Sequence, residues 1–347
     1  MAREKLCLGI DIGSSSIKMC VLKGGGGIYT LRHVGRIELP SDAIVDGSIM
    51  NAVQISESMT ELARSLGIKN KDAAIAISGH SVIIKKISFP RMSAQELERA
   101  VIGEAEQYIP FDIQDVYMDV QIVNENASQQ GYMDVVLVAA KKDVVNEYTQ
   151  VVRDAGFEPV ICDVDPFAME TAFLQNYAVS PSTSMALIDM GAAKTSINVV
   201  SRGVSCFTRD LPWGGNHVTE EIQKRTGISR SDAEQIKRGL RLADDPDAVV
   251  FAMNAACETV ADEIQRTFDF FSATATDPPP SVIYLFGGGA NLSALQKALA
   301  THSRLPVEIA DPFHRITIPQ NNMNAVAELG PAATTAVGLA LRYPGDS

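Results

Sequence analysis

Asp11-Ile12-Gly13-Ser14-Ser15-Ser16-Ile17-Lys18 sets a carboxylate, a glycine, a run of hydroxyls and an ammonium side by side, and Asp189-Met190-Gly191 repeats its opening. A strand that ends in Asp-x-Gly and turns straight back leaves backbone N–H groups unpaired at its tip, and glycine lets an anion approach them closely. Such a turn is a phosphate cradle. In the first, Gly13, Ser14, Ser15 and Ser16 supply amides and hydroxyls, and Lys18 adds a charge able to reach a β- or γ-phosphate. In the second, Gly191 supplies the turn and Thr195 is the polar side chain expected beside it. Asp11 and Asp189 are the candidate catalytic and magnesium positions, with the metal held largely through water. A single Asp-x-Gly serves equally well as a strand end that caps its own turn. Two copies in one chain favour the phosphate reading. Gly287-Gly288-Gly289-Ala290 follows an apolar run and precedes a helical one, so its amides can meet a diphosphate or let an adenosine lie flat on the backbone. By contrast, Gly24 to Gly27 lies between two strand-like stretches and reads as a hairpin.

The elements around these turns are themselves repeated. Leu8-Gly9-Ile10-Asp11-Ile12-Gly13 and Ala186-Leu187-Ile188-Asp189-Met190-Gly191 each open a three-stranded meander, continued by 17–22 and 28–39 in one case and by 196–200 and 204–211 in the other. Each copy then carries a helical stretch and an apolar strand stopping at glycine, 74–79 and 283–287. Further on, Pro159 to Phe167 resembles Pro306 to Phe313, and each is expected to precede a helix rich in small residues. The unit is βββαβαβα, present twice.

Two insertions separate the copies' parts. Between Gly79 and Pro159 the order reads βαββα: an apolar strand over 81–89, a helix opened by the Ser93-x-x-Glu96 capping box and stopped at Pro110, alternating strands over 116–122 and 133–140, and an amphipathic helix through Val144, Tyr148, Val151 and Ala155. The second, from about Gly214 to Thr274, is helical with polar faces and ends before Pro278-Pro279-Pro280. The expected division is therefore 1–80 with 157–180 as the first half, 81–156 as its insert, 181–213 with 275–347 as the second half, and 214–274 as a helical insert.

With 347 residues, 46% of them hydrophobic, the chain has material for about two cores. Its net charge of −12 argues against a nucleic-acid face, which needs concentrated Lys and Arg. The opening residues read as neither signal peptide nor membrane span, and no later apolar run is long enough for one. The five scattered cysteines and five histidines show no metal spacing and suit a reducing compartment.

The order of these motifs resembles the actin, Hsp70 and sugar-kinase superfamily of ATPases, and the βαββα insertion resembles the 1C subdomain of its FtsA branch. With Glu104-Ala105-Glu106-Gln107-Tyr108-Ile109-Pro110-Phe111 and Leu211-Pro212-Trp213-Gly214-Gly215-Asn216, the chain resembles the PilM family of type IV pilus assembly over nearly its whole length. The resemblance implies a duplicated, ribonuclease H-like α/β fold and an ATP and Mg2+ site between its halves. It also implies that Gly214, Gly215 and Asn216 lie near the nucleotide, with the helix through Glu221 and Lys224 flanking base and ribose. It implies as partner the cytoplasmic N-terminal peptide of a PilN-type inner-membrane protein, held in the groove between the first half and the 1C-like insert, alongside other pilus assembly proteins. A cytoplasmic location with recruitment to the membrane through the partner follows, because no amphipathic helix is read at Leu339 to Ser347.

Fast hydrolysis is not expected, since Ala192 and Ala193 follow Gly191 and offer no side chain to position water. The rival readings are a sugar or acid kinase on the same fold, which would need a carboxylate base facing a substrate pocket, and a polymerising FtsA-like protein.

Overall fold

The computed structural model describes residues 6–125, 131–180 and 183–344. Two sheets built on one plan form its frame. In the first, the strands Leu8–Ile12, Ser16–Gly25 and Ile28–Glu38 form an antiparallel meander, and Asp72–Ile77 and Glu158–Val164 join parallel to it on the other side. In the second, Ser184–Met190, Thr195–Ser201 and Val204–Leu211 form the meander, with Pro280–Phe286 and Val307–Ile309 added in parallel. These five strands of each sheet correspond one to one in order. The Gly24 to Gly27 stretch turns a hairpin, with Gly26 and Gly27 both at positive φ.

Each sheet is covered on both faces, which accounts for the nearly continuous apolar runs in the parallel strands. On the outer face of the first, Leu8, Ile10, Ile17 and Ile75 pack against Ile55 and Met59 of the helix Ala52–Ser65 and Val151 of the helix Lys142–Asp154. On the outer face of the second, Ala186, Ile188 and Ile283 pack under Val260 and Ile264 of the long helix Pro246–Thr274 and Leu295 of the helix Ser293–Ser303. Between the sheets lie the helices Asp165–Asn176 and Thr334–Ala340, the closing helices of the two copies. Ala172 and Ala336 share a core with Cys20 and Leu22 of the first sheet, while Met169 and Phe173 pack on Leu187 and Phe286 of the second. These two helices touch backbone to backbone, since a Cβ at Gly338 would stand 1.8 Å from the Ala168 carbonyl oxygen.

The end of the second copy departs from expectation. Asp311-Pro312-Phe313 does not lead directly into a helix, as Asp165-Pro166-Phe167 does. Instead a short strand, Ile316–Thr317, joins the first sheet beside Tyr29 and Thr30, and the helices Met323–Leu329 and Thr334–Ala340 follow. Burial is the cause: Phe313 and Ile316 fill the cluster around Leu31 and Val34, and the Asn322 Nδ2 group donates to the Leu31 and Arg32 carbonyls.

The insertion forms a three-stranded sheet of Val82–Pro90, Tyr132–Lys141 and Val116–Asn124, in that order, with the helix Ala94–Glu104 packed on it through Leu97 and Val101. The last helix of the expected βαββα unit, Lys142–Asp154, does not join it, because Tyr148, Val151 and Val152 are buried against the first sheet instead. Its capping box is formed, Ser93 and Glu96 satisfying each other's backbone N–H. The α-helix ends at Glu104, before Pro110, and tightens into a 3-10 turn at Ala105–Gln107. Within 214–274 the helices Gly215–Thr226, Arg230–Lys237 and Pro246–Thr274 are present. No helix among the described residues is long and apolar enough to cross a membrane.

Candidate functional site

Both Asp-x-Gly turns close in the same way. The Gly13 N–H donates to the Ser16 carbonyl at 3.1 Å, and the Gly191 N–H to the Lys194 carbonyl at 2.9 Å. In each, the acid sits on the strand just before the turn. Asp11 pairs across its hairpin with Lys18, whose Nζ donates to Oδ2 at 2.9 Å. The equivalent cross-strand partner of Asp189 is Ser196, so the second turn lacks this local cation.

Its cation comes instead from Lys194, a residue the sequence reading did not single out. The Lys194 ammonium reaches over to the first lobe, donating to Asp165 Oδ2 at 2.8 Å and to the Ser78 hydroxyl, and lies 3.5 Å from Asp210 Oδ2 within its own lobe. Asp210 itself accepts from the Gly79 N–H of the first lobe at 2.8 Å and from the Ser196 hydroxyl at 2.6 Å. Asp165 occupies the first turn of the helix Asp165–Asn176, where the helix dipole favours an anion.

The charges of the two turns act on one another. Burial and then the negative charge of Asp11 push the Asp189 carboxyl up to about 7, against the pull of Lys18 and Lys194. Burial works to lower Lys18, yet Asp11, Asp189 and Asp165 together raise it. Burial would likewise raise Asp165, but Lys194, Ser78 and Lys18 hold it below the usual carboxylate range. Lys194 is raised in the same way as Lys18, by Asp165, Asp210 and Asp189 overcoming its burial.

The other expected residues fall into two groups. Gly214, Gly215 and Asn216 are brought to the second cradle: the Gly215 N–H donates to the Gly191 carbonyl at 2.9 Å and the Asn216 N–H to the Ala192 carbonyl at 2.8 Å. The Gly287 turn also meets this cradle. Gly287 has φ +78°, and a Cβ there would stand 2.1 Å from Asp189 Oδ1 and 2.5 Å from the Met190 carbonyl. Gly289 and Ala290 are buried beneath the turn, whereas Gly288 is exposed. Around the first cradle Ser16 is buried, Ser14 is partly buried and Ser15 is exposed.

Thr195, expected to line the cleft, is buried at the start of its strand and gives its hydroxyl proton to the Trp213 carbonyl at 2.7 Å. It therefore anchors the turn that carries Gly214 and Gly215. Glu221 and Lys224 lie farther along the helix and pair with each other at 2.5 Å. Lys237, also unforeseen, braces that helix's first turn, donating to the Gly215 carbonyl and the Thr219 hydroxyl, each at 2.9 Å, and pairing with Glu234 at 2.6 Å. A signal for Asp165 was present in the sequence, because Asp-Pro at a strand-to-helix junction sets an acid in a first helical turn. Lys194 carried none beyond its place after Gly191.

Comparison with known proteins fits this geometry. The fold is similar to that of a solved PilM-PilN type IV pilus biogenesis complex, with a TM-score of 0.86, 26% identity and 98% of each chain covered. It is similar, as a fold alone, to MreB 5 of Spiroplasma citri bound to AMPPNP, with a TM-score of 0.51, 14% identity and coverage of 96% of this chain and 94% of that one. Among curated proteins, the cell division protein FtsA of Bacillus subtilis is 24% identical over 263 residues, covering 69% of this chain and 59% of FtsA. The chain thus spans about three fifths of that relative's length. Residues 9–343 match the family described as type IV pilus assembly protein PilM, and with its duplicated actin-like fold the chain belongs to that family.

Proposed function

We propose that the chain binds ATP with magnesium in the cleft between its lobes, and that the nucleotide-bound form holds the N-terminal cytoplasmic peptide of a PilN-type membrane protein. The observation that carries the nucleotide part is the pairing of two identically closed glycine turns, each with an aspartate at its base, whose charges act on each other. The residues suit the ligand. The carboxylates of Asp11, Asp165, Asp189 and Asp210 outnumber the ammoniums of Lys18 and Lys194, so the cleft has room for added cationic charge. Among the described residues no cluster of His, Cys, Asp or Glu forms a dedicated metal cage. Magnesium is commonly held otherwise, by one or two carboxylates, water and phosphate oxygens, and Asp11 and Asp189 would be those carboxylates. The cation supplies neutralisation of phosphate charge. The chain's own part is to cradle the phosphates at Gly13 to Ser16 and at Gly191, to add Lys18, and to set Gly287 to Ala290 and Gly214 to Asn216 around the remainder of the nucleotide.

The likeness to the PilM-PilN complex supports the partner. We assign the peptide to the groove between the first half, 1–80 with 142–180, and the insert 81–141, with 181–213 and 275–347 as the second half and 214–274 as its helical insert. The protein acts in the cytoplasm and reaches the membrane through the partner. With Ala192 and Ala193 at the second turn, turnover is slow or absent. Titration calorimetry tests the reading: saturable ATP binding that weakens when magnesium is withheld is expected, and no ATP binding would overturn it. For the partner, a labelled PilN-type N-terminal peptide is expected to bind the full chain in a saturable way, and failure to bind would remove that part alone.

A further inference from the structure

The two lysines of the cleft are wired differently. Lys18 satisfies Asp11 within its own hairpin. Lys194 crosses the cleft, so that its ammonium joins the lobes through Asp165 and Ser78. Yet it is rooted in the rim of the second cradle, because its own carbonyl closes that turn on the Gly191 N–H. An ammonium at the mouth of an anion cradle, parked on a carboxylate of the opposite lobe, has two alternative anionic partners. A terminal phosphate in the second cradle would compete with Asp165 for it.

We propose that Lys194 is the residue by which the cleft distinguishes a nucleoside triphosphate from a diphosphate, exchanging Asp165 for the terminal phosphate. This rests on the nucleotide reading above and goes beyond it. Asp165 is not left unpaired, since Ser78 donates to it and Lys18 attracts it from the first lobe. Lys194 keeps Asp210 nearby in either arrangement. The exchange also ties nucleotide state to lobe contact, because the Lys194 to Asp165 pair bridges the lobes while Lys194 to phosphate does not. A diphosphate supported by the first cradle and Lys18 leaves the bridge intact.

Titration calorimetry with ATP and with ADP, each with magnesium, on the unmodified chain and on Lys194→Met and Asp165→Asn, tests this. The unmodified chain is expected to prefer ATP. Lys194→Met is expected to lose ATP affinity by about tenfold or more while ADP affinity moves by less than about threefold. Asp165→Asn, which releases the ammonium, is expected to raise ATP affinity several-fold and leave ADP unchanged. Equal losses for the two nucleotides, or no loss, in Lys194→Met overturn the role. Should that variant fail to fold, Asp165→Asn decides alone, and an unchanged or lowered ATP affinity overturns it. A chain that binds neither nucleotide in its unmodified form defeats the nucleotide site itself, which is a distinct result.

Discussion

The two Asp-x-Gly turns share a backbone and an aspartate and differ in the charges that answer it. In the first, acid and lysine are cross-strand neighbours, so their pair at 2.9 Å forms within one hairpin. In the second, the neighbouring position is Ser196, the lysine sits in the turn, and its partner Asp165 belongs to the other lobe. The second turn is also the crowded one. The Gly214 turn bonds to its backbone and the Gly287 turn closes on its aspartate. A duplicated backbone thus supplies two like turns, while side-chain divergence keeps the lysine of one within its own hairpin and carries that of the other across to the opposite lobe.

The sharpest way to break this contrast is at the crowded turn. Gly287→Ala would force a Cβ into Asp189 Oδ1 and Met190 O from a backbone at φ +78°. It is expected to cost about 3 kcal/mol or more and to abolish nucleotide binding. Gly288→Ala, one residue on, meets no atom within 4 Å and is expected to stay within about 0.5 kcal/mol of the parent. Denaturant melts of the pair measure the difference. Comparable losses would mean that the turn is not set by contact with Asp189.

Next in size is the lysine kept within its own hairpin. Lys18→Ala removes the ammonium from the turn that both nucleotides are proposed to share, so calorimetry is expected to show ATP and ADP weakened alike, by about tenfold. It also leaves Asp11 without its hydrogen-bonded partner beside Asp189. A loss confined to ATP would assign discrimination to Lys18 and reverse the roles of the two lysines.

Much of the fold was legible because its signals are local. Asp-x-Gly after an apolar strand, Ser93 three residues before Glu96, and the alternation from Val116 to Ile122 each specify a turn, a cap or a strand from neighbouring residues. Repetition then added the two-lobed plan, since like segments in like order fold alike. What stayed hidden depends on contacts between distant segments. Lys194 meets Asp165 from 29 residues away, and Asp210 meets Gly79 from 131 residues away. No periodicity encodes such pairs. Thr195 misled for the same reason, because its polarity pointed toward the cleft while the turn after the strand Val204–Leu211 offered the Trp213 carbonyl. The second copy's last helix was displaced by a crossover to the first sheet, a choice decided by where Phe313 and Ile316 could be buried.

The smallest effect concerns the acids at the base of the turns. Burial and Asp11 raise the Asp189 carboxyl to about 7 in the folded chain, from an ordinary 3.8. A carboxyl raised on folding binds its proton more tightly in the native state, so its contribution is fully present below its unfolded value and is lost as the pH rises through the folded one. In the absence of nucleotide and magnesium, stability attributable to Asp189 should therefore fall between about pH 4 and pH 7. Asp189→Asn removes the ionisation and keeps the shape, so it is expected to match the parent below about pH 4 and exceed it in Tm by about 3 °C or more at pH 8. Glu170, pushed up to about 7 by its own burial, gives both proteins the same background trend and cancels in the comparison. Magnesium with ATP should erase the advantage, since a cation at Asp189 stabilises the ionised acid and the asparagine cannot replace it. A Tm difference independent of pH would show that Asp189 is not raised on folding, by burial or by Asp11, and the apposition of the turns would lose that support.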